Sequence, residues 1–166
     1  ALVLIVAAAA FVVWQLIPRK PASRPSLAVF GFKNQTGDKS YDYLQEAIPN
    51  LLITSLEQSG RFRVTSWERL NALLRQSGRP ETAALDVEAG FDLCRRDDIE
   101  IAVIGSFVKA GDTFATDVKV LEASSKKLLK SAGARGQGVD SILKTQIDEL
   151  SRSVCRDIGR LPLKVE

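Results

Sequence analysis

Apolar positions change their spacing along this chain, and each change predicts an element. Residues 1–17, ALVLIVAAAAFVVWQLI, are apolar without a polar face, broken only by Gln15. At about 1.5 Å per residue a helix of this length reaches roughly 25 Å, a little short of the ~30 Å hydrocarbon core. Trp14 suits a membrane interface, and Pro18-Arg19-Lys20 ends the run with a helix breaker and charge. A secretory signal would need a basic region before the run and a cleavage site close after it, so a transmembrane helix is the expectation. The run opens at Ala1 without a basic flank, which suggests that the numbering starts inside the helix of a longer chain. Residues 18–25, PRKPASRP, read as a short stiff spacer. Their basic residues favour a cytoplasmic position for the domain beyond them, although that rule compares both flanks.

From residue 26 the pattern is that of an α/β domain. SLAVFGFK (26–33) is apolar on both faces, as an interior strand requires. Leu44, Ala47, Ile48, Leu51, Leu52, Ser55 and Leu56 recur at helical spacing, with Pro49 predicting a kink or a first turn and Gly60 an end. RFRVTS (61–66) alternates as a second strand, and Ser66 is a candidate N-cap for a helix through Leu70, Leu73 and Leu74. After a loop at 77–85, a helix over about 86–97 carries Val87, Phe91 and Cys94 on one side. IAVIGSFVK (101–109) and TFATDVKVLE (113–122) flank Ala110-Gly111-Asp112 as a hairpin, and KLLKSAGA (127–134) extends the meander after a Ser124-Ser125 turn. A final helix, about 139–159, places Val139, Ile142, Leu143, Ile147, Leu150, Val154 and Ile158 on one stripe. The fold class expected is α/β, a mixed sheet of about five strands with helices packed on it, in the order β-α-β-α-α-β-β-β-α. The organisation is a membrane helix (1–17), a linker (18–25), the α/β domain (26–160) and a tail (161–166).

Composition narrows the chemistry. The 166 residues contain no histidine, which removes Ser-His-Asp and Cys-His catalysis and imidazole metal sites. The net charge is only +3 and aromatic residues are 7%, without basic–aromatic interleaving, so nucleic acid is not an expected partner. No GxxxxGK[ST] phosphate loop occurs. Cys94 and Cys155 stand 61 apart, without metal spacing, and either pair or remain thiols. Asp97, Asp98 and Glu100 follow Arg95 and Arg96, which favours local ion pairs over a metal site. Lys126, Lys127 and Lys130 surround the start of an edge-like strand, where lysines discourage edge-to-edge pairing.

Gly133, Gly136 and Gly138 lie between a strand and a helix, where an anion could bind. Ser141 replaces the third glycine of a dinucleotide fingerprint and Asp140 brings negative charge, so a turn with Asp140 capping the helix is the expectation. The candidate interaction loop is Asn34, Gln35, Thr36, Gly37 and Asp38: its residue types favour local side-chain capping, and a loop after an interior strand is where α/β sheets form ligand crevices. No catalytic residue, cofactor or metal is expected. A minor enzymatic alternative would need a concave pocket lined by Asp38, Asp42 or Lys33.

LAVFGFKNQTGD, after an apolar helix, resembles the "AVLPFxNxTGD" opening of the TolB amino-terminal-like domains, relatives of the CsgG and FlgO envelope proteins. The resemblance continues through YDYLQEAIPNLLITSLEQSGRFRVTSWERLNALL and through DLCRRDDIEIAVIGSFVKAGDTFATDVKVLEASSKKLL, and covers about 26–160. Gly31 departs from the usual Pro, and Ser124-Ser125 from the usual Thr-Gly turn. The resemblance implies an α/β sandwich without catalytic residues. It also implies a setting: often a longer bacterial chain with a serine/threonine kinase or winged-helix domain before the membrane helix and tetratricopeptide repeats after the domain. The function expected is a non-enzymatic sensory or protein-interaction domain of a single-pass signalling protein. That domain would be extracytoplasmic and held at the inner membrane by residues 1–17 in the lipid bilayer, with a protein partner or self-association. The alternative is an envelope-assembly subunit that oligomerises.

Overall fold

The computed structural model describes residues 24–76, 78 and 86–158. The expected membrane helix, most of the linker, the 77–85 loop apart from Gly78, and the tail lie outside these residues. Among the described residues no helix is long and apolar enough to cross a membrane.

Strands β1 (Ser26–Asn34), β2 (Arg63–Val64), β3 (Ile101–Ala110), β4 (Thr113–Glu122) and β5 (Leu128–Gln137) form one sheet in the order β2-β1-β3-β4-β5. β1 pairs parallel with β2 and β3, while β3–β4 and β4–β5 are antiparallel, so the sheet is mixed. The helices are α1 (Leu44–Gln58), α2 (Trp67–Gln76), α3 (Val87–Arg96) and α4 (Ile147–Ile158), the last entered through a π-helical turn, Ile142–Gln146. The element order is the one the hydrophobic pattern predicts.

Two apolar clusters divide the sheet's faces. Leu27, Val29 and Phe32 of β1 pack with Ile48, Leu52 and Leu56 of α1 and Leu150 and Val154 of α4. Ala28 and Phe30 pack on the other side with Leu70 and Leu74 of α2 and Phe91 and Cys94 of α3. Burial on both faces explains why β1 reads as an unbroken apolar run. Strict alternation would put Phe32 beside Phe30, yet it belongs to the opposite cluster. The cause is Gly31, at φ +64. Val29 pairs with Val103 and Phe32 with Gly105, so β1 spends one residue more than β3 over this interval. This is a bulge at a conformation that side-chain-bearing residues rarely adopt.

Several boundaries differ from expectation, each for a physical reason. The second strand shrinks from 61–66 to Arg63–Val64, because only Ser26 and Leu27 pair with it; Phe62 still buries its ring. α1 runs continuously through Pro49. Ser66 caps α2 as expected, its Oγ accepting from the Arg69 N–H at 3.3 Å. The β3–β4 turn is reduced to Gly111-Asp112, and Gly111 at φ +58 supplies the left-handed first position of a II′-like hairpin. β5 continues to Gln137, so Gly133 and Gly136 are strand residues rather than a turn. Their missing side chains make room for Asp117 Oδ1 and for the Ser141 side chain, which a Cβ would meet at 2.7 and 2.4 Å. Asp140 does not cap the last helix; its carboxylate accepts from Lys144 Nζ at 2.9 Å. The π-helical turn takes up an extra residue, which rotates Leu143 out to 47% exposure and turns Gln146 fully inward. The expected apolar stripe therefore loses Leu143 and keeps Ile142, Ile147, Leu150, Val154 and Ile158.

That inward turn carries a polar cost. Gln146 Nε2 donates to the Phe114 carbonyl and to Ser141 Oγ, while Gln146 Oε1 and the nearby-strand hydroxyl Thr116 Oγ1 are buried without partners among the described residues. Thr116 is fully buried on the Phe114–Val118 face of β4. Thr116→Val keeps the shape and removes the unpaired hydroxyl, so it should stabilise the fold by about 1 kcal/mol. A shift of the urea midpoint to higher concentration at unchanged slope would show this; a lower midpoint would mean that the hydroxyl has a partner after all.

Candidate interaction site

The Asn34–Asp38 segment leaves the carboxyl end of β1. The next two connections go to opposite sides of β1, through α1 to β2 and then through α2 and α3 to β3. This is the switch-point position at which parallel α/β sheets expose their loops to ligands. The structure does bring these residues together, and mainly through one another. Asn34 Oδ1 accepts from the Thr36 N–H at 3.0 Å and from Thr36 Oγ1 at 2.7 Å. Asn34 Nδ2 donates to the Asp38 carbonyl at 2.9 Å and to Asp42 Oδ1 at 2.7 Å. Thr36 Oγ1 accepts from the Asp38 N–H, and the Asp38 carboxylate accepts from the Ser40 N–H at 2.8 Å, opening a 3₁₀ turn at Lys39–Tyr41. The Gln35 N–H reaches the Phe107 carbonyl of β3 at 2.9 Å, which ties the loop to the sheet.

The result is an exposed loop whose shape is set in advance. Asn34→Ala removes the group shared by Thr36, Asp38 and Asp42, and should cost about 1–2 kcal/mol. Amide exchange at Thr36 and Ser40 should quicken more than at core strands; an unchanged exchange pattern would refute the hub role.

Beside the loop, Lys109 Nζ donates to Tyr41 Oη at 3.0 Å and lies 5.1 Å from the Tyr41 ring centroid and 5.7 Å from that of Phe114. The Tyr41 hydrogen bond raises the Lys109 pKa. Asp38 is held below its ordinary 3.8, first by the Ser40 N–H, next by the Ser40 hydroxyl, with a smaller pull from Lys109. A depressed carboxylate supports its contacts above the unfolded pKa, so the Ser40 contact weakens only as pH falls below 3.8. The loop keeps its charge pattern at neutral pH.

Reactive chemistry is sparse. Among the described residues no group of three His, Cys, Asp or Glu could hold a metal ion. Asp97 instead pairs with Arg69 at 2.8 Å, and Arg95 with Asp92. Lys126 leaves the β5 edge to meet Glu88 at 2.7 Å and the Phe91 ring face at 5.0 Å. Both cysteines are free thiols. Burial pushes Cys94 up to about 12, from 9.0. The half-buried Cys155 should therefore react with iodoacetamide at pH 8 while Cys94 stays protected until the protein unfolds. The raised Cys94 pKa contributes stability that is complete below pH 9 and is lost as pH rises towards 12. Equal labelling of both thiols in the native protein would overturn this. An open groove between the ends of α1 and α4 is lined by Arg61, Arg152 and Arg156. It shares no residue with the loop, and none of Asp38, Asp42 or Lys33 lines it.

A family described as the curli production assembly/transport component CsgG matches residues 8–108, more than half of the sequence. The chain belongs to the CsgG family. The fold is shared with solved structures of distant sequence. The C-terminal domain of LpoB from Escherichia coli superposes with a TM-score of 0.54 at 14% identity, covering 77% of this chain and 93% of that one. Lipoprotein GNA1162 from Neisseria meningitidis gives 0.52 at 15% identity, covering 82% and 98%. No curated protein matches the sequence. The CsgG-family match includes β1, the candidate loop, α1, α2, α3 and most of β3, and so spans the elements that build the switch point. The likeness to solved structures concerns the fold, at identities too low to carry function.

Proposed function

We propose that this chain is a non-enzymatic protein-interaction domain of the bacterial envelope, held at a membrane by its apolar first 17 residues. One observation supports the reading above others: the Asn34–Asp38 loop is exposed yet locked by its own hydrogen bonds, at the position where the fold presents ligands. An ordered loop gives up little conformational entropy on docking, which favours recognition. Membership of a family described by assembly and transport, and a domain shared with lipoproteins, fit the same setting. Sensing would require the partner to bind two states of the domain unequally, since only differential affinity can transmit a signal through the membrane segment.

The test is site-specific photocrosslinking in cells from Gln35 or Thr36, with Lys127 at the far side of β4–β5 as the comparison. A discrete adduct from the loop positions and none from Lys127 is the expected result. Absence of any loop adduct would remove the loop from the interface. A second reading, an envelope-assembly subunit that oligomerises, is favoured by the family's description. It predicts a ring-sized species in light scattering and an adduct between two copies, where the first reading predicts a monomer or dimer and an adduct with another protein.

A further inference from the structure

We infer that the groove between the carboxyl end of α1 and the last turns of α4 binds a phosphoryl group. It has a volume of about 450 Å³ and is lined by Ser55, Ser59 and Arg61 on one side and Ser151, Arg152 and Arg156 on the other. No carboxylate among the described residues lines it. Among the described residues none of the three guanidinium groups has a carboxylate partner. Arg61 spends one N–H on the Cys155 carbonyl at 3.1 Å, and Arg152 spends Nε on the Asp148 carbonyl at 3.0 Å. Most of their donors are left over, because a guanidinium carries five.

Helix-end compensation is the obvious rival explanation, since both α1 and α4 end at this groove and cations suit helix carboxyl ends. The magnitudes decide against it as the whole account. Two helix ends supply about half a negative charge each, against three full positive charges, so roughly two positive charges remain in excess. The donors point to the class of anion. A carboxylate is satisfied by one guanidinium fork, whereas a tetrahedral phosphoryl group presents oxygens to several forks and hydroxyls at once. The groove is also roomy enough for the phosphoryl group to be part of a larger molecule, either a soluble phosphate compound or a phospholipid headgroup.

Calorimetric titration of the 166-residue chain with pyrophosphate at low ionic strength tests the site. Flotation with phosphatidylcholine vesicles, with and without phosphatidic acid, distinguishes the sources; the quantity compared is the increment that phosphatidic acid adds, since the apolar first residues can bind either vesicle. Arg152→Gln with Arg156→Gln should weaken pyrophosphate binding, or the phosphatidic acid increment, by about tenfold or more. Lys119→Gln with Lys127→Gln removes the same net charge from the β4–β5 side and should change neither by more than about twofold. Arg61 is left in place because it caps α4, and both variants should melt as the parent does. A response to pyrophosphate alone assigns a soluble ligand, and one to vesicles alone a headgroup; both support the site. No saturable response to either probe, or equal weakening in the lysine variant, overturns it.

Discussion

Gly105→Ala should destabilise the domain by about 2–4 kcal/mol, a large share of the stability of a domain this size. A Cβ at this point of β3 would stand 2.4 Å from the Asp117 carbonyl oxygen and 2.6 Å from the Phe32 ring. The lower chain entropy of alanine works in the other direction, by only about 0.5–1 kcal/mol. The overlap wins because neither neighbour can retreat. Asp117 belongs to β4, which is paired on both sides along its length, and the Phe32 ring is fully enclosed between the sheet, α1 and α4. Urea denaturation followed by circular dichroism reads the effect, and a stability within about 1 kcal/mol of the parent would show that the Phe32 ring has room to move.

The second large effect lies on the opposite face. Phe30→Ala should cost about 3–5 kcal/mol, because the ring is fully buried and meets Phe91 edge-on at 5.7 Å. Gly90 of α3 lets the helix sit directly on that ring; a Cβ there would lie 2.2 Å from it. Gly90→Ala alone should cost about 1–2 kcal/mol, the overlap outweighing a gain of about 1 kcal/mol in helix propensity. In the Phe30→Ala background the overlap disappears and only the propensity gain is left, so the same substitution should become neutral or stabilising. This change of sign in a double-mutant cycle is the measurement to make. Additive costs would mean that α3 does not rest on Phe30.

These contacts also show where the sequence was readable. The α/β class, the element order, the hairpin and the Ser66 cap arise from local signals: apolar period, turn residues and capping residue types. The single-residue irregularities were harder. Nothing in FGFKN states that one residue is extra, because the bulge at Gly31 is defined against β3, some 70 residues away in sequence. The π-helical turn is hidden for a similar reason: Leu143 looks like a stripe residue and Gln146 a surface residue until the helix is packed against β4 and β5. Gly133 and Gly136 mimic a turn, since the side chains that fill their space, from Asp117 and Ser141, come from other elements. The candidate loop was legible by residue type, and its closed hydrogen-bond set reflects short-range capping tendencies. The arginine groove was not, because Arg61 and Arg152 meet only when α1 and α4 pack side by side.

The extra residue in β1 has a consequence for the loop at its carboxyl end. A β-strand has two-residue parity, so one inserted position exchanges the sides for everything downstream. Asn34 consequently emerges towards α1, where its N–H meets Gln45 Oε1 at 3.4 Å and its amide meets Asp42. Flattening the bulge without removing a residue would turn the whole Asn34–Asp38 group towards α2 and α3, whereas deleting Gly31 itself would restore one-to-one pairing with β3 and leave Asn34 opposite Phe107, on the side it already faces. The orientation of the exposed loop is thus inherited from a backbone detail buried in the sheet, several residues before the first side chain that a partner could touch.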